Sequence, residues 1–185
     1  MKRIGIPSLS QAAVLLLVLL FAVGCSSNRP VNTASQDIQV DVVGELRKAS
    51  KHLFAVTAPL DINQPVLTAS FASIDDLQQS STFGRQAAEV FTSELARTGV
   101  PVVEVKMRDS LFIQERTGEL MLSRELRHLS TSHNAQAVLV GTYAIGGTHL
   151  YVNVRVVRTA DNVILGSHNF SLPINRDLRS MLPRR

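Results

Sequence analysis

Residues 150–157 read as an alternating strand: Leu150, Val152, Val154 and Val156 interleave with Tyr151, Asn153 and Arg155. Successive side chains of a β-strand leave opposite faces, so the pattern predicts a strand with one face buried and the other wet. A strand cannot satisfy its own main-chain N–H and C=O groups, and must be flanked. Residues 137–145 and 163–172 read as the flanking strands, with Gly146-Gly147 and Asp161-Asn162 as the turns between them. The C-terminal third is therefore predicted to be an antiparallel meander with one covered face.

Two helical stripes are available to cover it. Ile38, Val42, Val43, Leu46, Ala49, Leu53 and Phe54 recur near helical spacing. Asp37 is the candidate N-cap, Gly44 a tolerated interruption and Pro59 the stop. Phe83, Ala87, Phe91 and Leu95 fall four apart and make a second stripe, capped by Ser81 or Thr82 and ended by Gly99 and Pro101. This helix separates two more predicted strands, 65–71 and 100–105. Strand, helix and strand in one sheet form a parallel, right-handed βαβ unit. Residues 73–82 are polar and acidic and read as a loop. Residues 123–130 read as a short helix, and 108–122 carry no decisive pattern. The fold class expected is α+β: a mixed sheet of about five strands, the βαβ unit plus the antiparallel C-terminal meander, packed with two main helices.

The N-terminus has a different grammar. Lys2 and Arg3 precede an apolar run over 12–23, then Gly24, Cys25, Ser26 and Ser27. A charged start, a short apolar stretch and small residues at the cut describe a secretory signal. The run falls short of the ~20 residues that a spanning helix needs. Ala22-Val23-Gly24-Cys25 resembles the lipobox of bacterial lipoproteins, with Ala22 where Leu is commonest. The resemblance implies removal of residues 1–24 and acylation, palmitate included, of Cys25, the lipid-attachment residue and the sole cysteine. Each buried acyl CH₂ adds ~0.8 kcal/mol of membrane affinity, and two or more chains anchor stably. Ser26 rather than Asp after the cysteine implies sorting to the outer membrane. Residues 25–36, rich in Ser, Asn and Thr, read as a flexible tether.

The net charge of +4 does not describe the body of the chain. Setting aside Lys2, Arg3 and the basic tail 176–185, with Arg176, Arg179, Arg184 and Arg185 against Asp177, leaves 13 bases and 14 acids over 25–175. With no Trp and only two Tyr, a stacking platform for nucleic acid is not expected, and nucleic acid is not among the expected partners. The tail reads either as a solvated end or as a contact for an anionic surface. No catalytic, cofactor-binding or metal-binding residue is assigned. His128 and His133 stand five apart, off the spacing that places two ligands on one helical face. Asp75-Asp76 suits a solvated loop better than a cation site. Neither a nucleophile elbow nor a phosphate-binding glycine loop occurs, so an enzyme is not expected.

Three segments together are similar to one family: Ser81-Thr82-Phe83-Gly84-Arg85-Gln86-Ala87-Ala88-Glu89, Gly118-Glu119-Leu120-Met121-Leu122-Ser123-Arg124-Glu125, and Val140-Gly141-Thr142-Tyr143 with Val152-Asn153-Val154-Arg155. They resemble the FlgO family of flagellum-associated outer-membrane lipoproteins, over about residues 37–175. The resemblance implies a FlgO-like α/β domain over 37–175, held to the outer membrane by its lipid anchor and facing the periplasm. It implies a non-enzymatic role in assembling or anchoring the flagellum there, with flagellar or other envelope proteins as partners and a possible homo-oligomer. The alternative is a periplasmic lipoprotein regulator that docks a cell-wall enzyme. The quoted residues also have structural accounts: Gly84 permits close helix packing, Arg85 and Glu89 stand i,i+4, and Gly141 in the sheet relieves crowding against a helix. Residues 118–125 and the 73–82 loop are the candidate partner surface.

Overall fold

A computed structural model describes residues 39–78, 80–105, 112–114, 120–122 and 124–183. The expected signal peptide and the whole of the tether, Cys25 included, lie outside the described residues. Helix α1 spans Val42–Val56, and its N-cap is Asp41, whose Oδ1 accepts from the Gly44 N–H at 2.9 Å. The expected cap, Asp37, lies outside the described residues. A Cβ at Gly44 would overlap the Asp41 carboxylate, so this glycine makes the cap possible rather than interrupting the helix. The helix stops before Pro59. The Thr57 hydroxyl donates to the Leu53 carbonyl at 2.7 Å, and the Ala58 N–H turns to the Leu165 carbonyl at 2.9 Å.

Strand β1 (Val66–Thr68) is buried throughout and pairs in parallel with β3 (Val102–Glu104) on one side and β6 (Ala137–Ile145) on the other. The expected strand over 65–71 is broken. β1 ends at Thr68, and β2 (Ala72–Ser73) rejoins β6 farther along, so four steps from Thr68 to Ala72 match three from Leu139 to Thr142. One extra residue is taken up between the two strands, as in a β-bulge, and Phe71 beside it is fully buried. Between β2 and β3 runs helix α2 (Thr82–Ala96), capped by Ser81, whose Oγ accepts from the Gly84 N–H at 3.1 Å. Gly99, at φ +88, takes the left-handed turn after the helix that a side chain resists.

Strands β4 (Phe112–Gln114) and β5 (Leu120–Leu122) form a separate antiparallel pair inside the undecided stretch 108–122. Helix α3 spans Arg124–Ser132. Then β6, β7 (His149–Arg158) and β8 (Ile164–Pro173) form the expected meander, and the main sheet runs β3-β1-β6-β7-β8 with β2 beside β6. The fold is α+β with an open mixed sheet.

One sheet face, through Leu139, Tyr143, Leu150, Val152, Val154 and Leu172, packs under α1 and α2. The other face is covered only in part, where Leu67, Val138, Val140 and Val157 meet Leu126 and Leu129 of α3. Over β7 and β8 that second face carries Tyr151, Asn153, Arg155, Ser167 and Asn169, with Tyr151 54% exposed.

The basic tail is not a free end. Residues Arg176–Met181 form helix α4, capped by Asn175, whose Oδ1 accepts from the Leu178 N–H at 2.8 Å. Leu178 and Leu182 are buried in the main core, so the packed body extends past residue 175 to Leu182. The tail's arginines do not prevent docking because the apolar pair lies four apart, on one side of the turn.

Candidate interaction surface

Phe71 is where two of the quoted segments meet. Its N–H donates to the Gly84 carbonyl at 3.0 Å, and its carbonyl accepts from Ser80 Oγ at 3.3 Å. A Cβ on Gly84 would overlap the Phe71 carbonyl oxygen, and a Cβ on Gly141 would overlap the Phe71 ring. Gly84 thus lets α2 start against the bulge, and Gly141 leaves room for the ring that the bulge turns inward. The ring rests on Phe91 at 5.4 Å between centroids. The crowding at Gly141 comes from this ring rather than from a helix.

Tyr143, the last residue of Val140-Gly141-Thr142-Tyr143, packs edge-on against Phe83 at 5.5 Å. Its hydroxyl is buried with no well-formed hydrogen bond among the described residues. Ser81 lies close; its Oγ accepts from Gly84 and keeps its own O–H to donate. Burial raises the Tyr143 phenol above the ordinary tyrosine value, partly offset by Ser81 and by the Arg85 charge. Arg85 itself donates to Thr82 Oγ1 at 3.2 Å rather than pairing with Glu89.

Glu94 is only 7% exposed and sits between two arginines, Arg47 Nε of α1 at 3.2 Å and Arg97 at 3.9 Å. A carboxylate buried without a partner is strongly disfavoured, so this pair fixes α1 against α2. Its signal in the sequence is an acid three residues after Phe91, on the apolar side of the stripe.

The expected partner loop over 73–82 is tied down at both ends. Ser73 pairs with Tyr143, the Ile74 N–H reaches the Tyr143 carbonyl at 2.9 Å, and Ser80 bridges to Ala72. Between these ties Asp75 and Asp76 are exposed, and Asp76 Oδ1 accepts from the Gln78 N–H at 3.1 Å, an ordinary turn. Of the 118–125 segment, residues 118, 119 and 123 lie outside the described residues, and Arg124 is exposed at the start of α3. His128 and His133 are both exposed. Among the described residues, no three His, Cys, Asp or Glu side chains gather as a metal site would require. Cys25, the lipid-attachment candidate, lies outside the described residues.

Sequence reasoning passed over one histidine pair. His52 of α1 stacks on His168 of β8 at 5.5 Å and 13°, and His168 stacks in turn on Phe170 at 6.0 Å. Burial, with a smaller contribution from the His52 charge, holds His168 below the ordinary histidine value. No local spacing links residues 116 positions apart, so only the pairing of α1 over β8 reveals them. Stacking, with His168 half-buried beneath the exposed His52, marks this pair as part of the packing.

Among the described residues the geometry thus offers exposed surfaces and no gathering of metal-ligating side chains. The family model described as FlgO protein matches residues 47–177, more than two thirds of the chain. None of the curated proteins matches. Among solved structures, the LpoB C-terminal domain from Salmonella enterica superposes with a TM-score of 0.51 at 12% identity, covering 73% of this chain and 100% of that one. A PelC dodecamer from Paraburkholderia phytofirmans is similar at 12% identity and a TM-score of 0.42, covering 64% and 78%. Lipoprotein GNA1162 from Neisseria meningitidis follows at 15% identity and 0.41, covering 62% and 85%. At 12% identity the likeness to the LpoB domain is one of fold.

Proposed function

The chain belongs to the FlgO family, and from that premise we propose that it is a non-enzymatic lipoprotein of the bacterial outer membrane that supports assembly or anchoring of the flagellum. In this reading residues 1–24 are a signal peptide removed on export. Acyl chains on Cys25 hold the protein to the membrane, and residues 25–36 tether a periplasm-facing domain. The carrying observation is the family match over 47–177, which takes in nearly the whole packed body. The family assignment supports an envelope lipoprotein; the flagellar role and the outer-membrane address are the finer parts of the proposal. Its partners are flagellar or other envelope proteins.

Deletion of the gene should reduce swimming in soft agar, and the full chain should restore it. Cys25→Ser should abolish labelling by a palmitate analogue and restore motility poorly, because tethering raises the local concentration at the membrane. His128→Ala, His133→Ala and Asp75→Ala should each restore it fully at normal abundance. Full loss of function from one of these exposed substitutions, with abundance intact, would point to an active site instead. Normal swimming in the deletion strain would remove the flagellar role and favour docking to a cell-wall enzyme.

A further inference from the structure

The sheet face turned away from α1 and α2 is closed over one half and open over the other. Leu67, Val138, Val140 and Val157 lie under Leu126 and Leu129 of α3. Farther along, the β7–β8 ladder sets Arg155 opposite Ser167, Asn153 opposite Asn169 and Tyr151 opposite Ser171. All six side chains leave this one face. Tyr151, Ser167, Asn169 and Ser171 are exposed, and Asn153 and Arg155 are half-buried. Among the described residues, none of the six side chains makes a hydrogen bond or an ion pair. The Tyr151 ring is nonetheless positioned. It leans on His149 at 6.4 Å, and a Cβ on Gly146 would stand 3.0 Å from it, so the turn before β7 leaves room for the ring.

Arg155 carries the argument. Residues 137–158 and 163–173, which make up β6, β7 and β8, contain two arginines and neither Asp nor Glu. Arg158, at the end of β7, is satisfied by both oxygens of Asp161 at 2.8 Å. Arg155 has no such partner; its cross-strand neighbours are Val140 and Ser167. A half-buried guanidinium has given up part of its hydration, and a carboxylate restores it best, through a two-point fork. The other five side chains say what else the ligand carries. The amides of Asn153 and Asn169 and the hydroxyls of Ser167 and Ser171 both donate and accept. Tyr151 adds an apolar ring with a polar tip. From Tyr151 to Arg155, about 14 Å of strand, no aliphatic side chain leaves this face. A protein partner would be held by a desolvated apolar centre, and an anionic bilayer by a cluster of about 4–8 bases. One cation among neutral two-way hydrogen-bonding groups, ranged along a strand, instead suits a chain of sugars bearing hydroxyl, amide and carboxylate groups.

We infer that the open half of this face binds an acidic glycan. Arg155 takes a carboxylate, Asn153 and Asn169 take hydroxyl or acetamido groups, and Tyr151 lies against a sugar ring. The inference stands apart from the flagellar reading, since it rests on the sheet face alone.

The probe is purified peptidoglycan, a polymer of acetamido sugars whose stems carry carboxylates. Its many repeated sites let weak single contacts sum to a readable affinity. The full-length chain in mild detergent should sediment with it, less so as salt is raised. Arg155→Gln should lower the bound fraction about tenfold, the loss of one charged hydrogen-bonding pair, with the melting temperature unchanged. Arg155→Lys, which keeps the charge but not the fork, should recover only part of the binding. Tyr151→Ala should also weaken it. Lys51→Gln, which removes an exposed base of α1 on the other side of the sheet, should bind as the parent does. No sedimentation with peptidoglycan overturns the inference. So does binding indifferent to both Arg155→Gln and Tyr151→Ala, and so does an equal loss from Lys51→Gln. Polyglutamate and phosphatidylglycerol vesicles are offered in parallel. Retention by either one that Arg155→Gln removes, with peptidoglycan left unbound, would reassign the face to an acidic protein or to a membrane.

Discussion

Replacing Gly141 by alanine isolates the contact that organises the sheet. In an ordinary strand interior this change would stabilise the chain by roughly 0.5–1 kcal/mol, because glycine loses more backbone freedom on folding. Here the new methyl would lie under 3.0 Å from three atoms of the Phe71 ring. The ring has no easy retreat: Phe71 is fully buried, held at its N–H by Gly84 and at its carbonyl by Ser80, and lies against Phe91. Forcing extra volume into such a core costs about 1–3 kcal/mol. The opposing effects leave a net loss of roughly 1–2 kcal/mol. For a chain of this size that is a fall in Tm of about 2–8 °C.

The decisive measurement is a double-mutant cycle with Phe71→Ala, followed by urea unfolding of a lipid-free chain that starts at Ser26. Phe71→Ala alone should cost about 3–5 kcal/mol, which leaves a measurable transition for a domain of typical stability, about 5–15 kcal/mol. With the ring gone, Gly141→Ala should change sign and raise stability, since the methyl then enters vacated space. The coupling should fall in the range of about 1–3 kcal/mol, well clear of additivity. Equal effects of Gly141→Ala in the two backgrounds would refute the assignment of Phe71 as the group that the glycine accommodates.

Two further outcomes follow from buried polar groups. Tyr143→Phe removes a hydroxyl that lacks a well-formed hydrogen bond, and an unsatisfied buried group costs about 1–3 kcal/mol. The variant should therefore be as stable as the parent or more so, and a loss above about 1 kcal/mol would show that the hydroxyl is bonded. His168 is held below the ordinary histidine value of about 6.5 by burial and by His52. As pH falls, the unfolded chain takes up this proton before the folded one does. The stabilising contribution is therefore full above about 6.5 and is lost as pH drops through that value to the lower folded one. The urea midpoint should decline between pH 8 and 5, and His168→Gln should flatten the decline; an unchanged slope would sink the assignment.

Strands β6 and β7 were legible because their pattern is local. The ends of β6 fall where the apolar run begins and stops, and the alternation in β7 matches its burial residue by residue. The stripe of α2 was legible for the same reason, since Phe83, Ala87, Phe91 and Leu95 share one face whatever lies beneath. The break between β1 and β2 was not, because it is a mismatch of register against β6, seventy residues away. Composition misled at the C-terminus. Arginines suggested a solvated tail, yet Leu178 and Leu182, with Met181 packed beside them, dock α4, and the spacing of four was the neglected signal. At α1 the cap was displaced from Asp37 to Asp41 because Gly44 leaves room for the nearer carboxylate.

The glycines of the quoted segments and the exposed part of the 73–82 loop occupy different places, and this separates two kinds of loss. Gly84 comes from the first segment and Gly141 from the third, and both are shaped around Phe71, a residue of neither. What they encode is the meeting of a helix start, a bulge and a sheet, which is fold rather than chemistry. A substitution there acts through stability, and a loss of ~1–2 kcal/mol can change cellular abundance several-fold. Asp75 is the reverse case: it is exposed between the ties of the 73–82 loop, so altering it leaves the core untouched. Damage at Gly84 or Gly141 should therefore track the amount of protein, whereas substitution of the exposed Asp75 should leave the amount unchanged. Measuring abundance beside function thus distinguishes a residue that builds the platform from one that uses it.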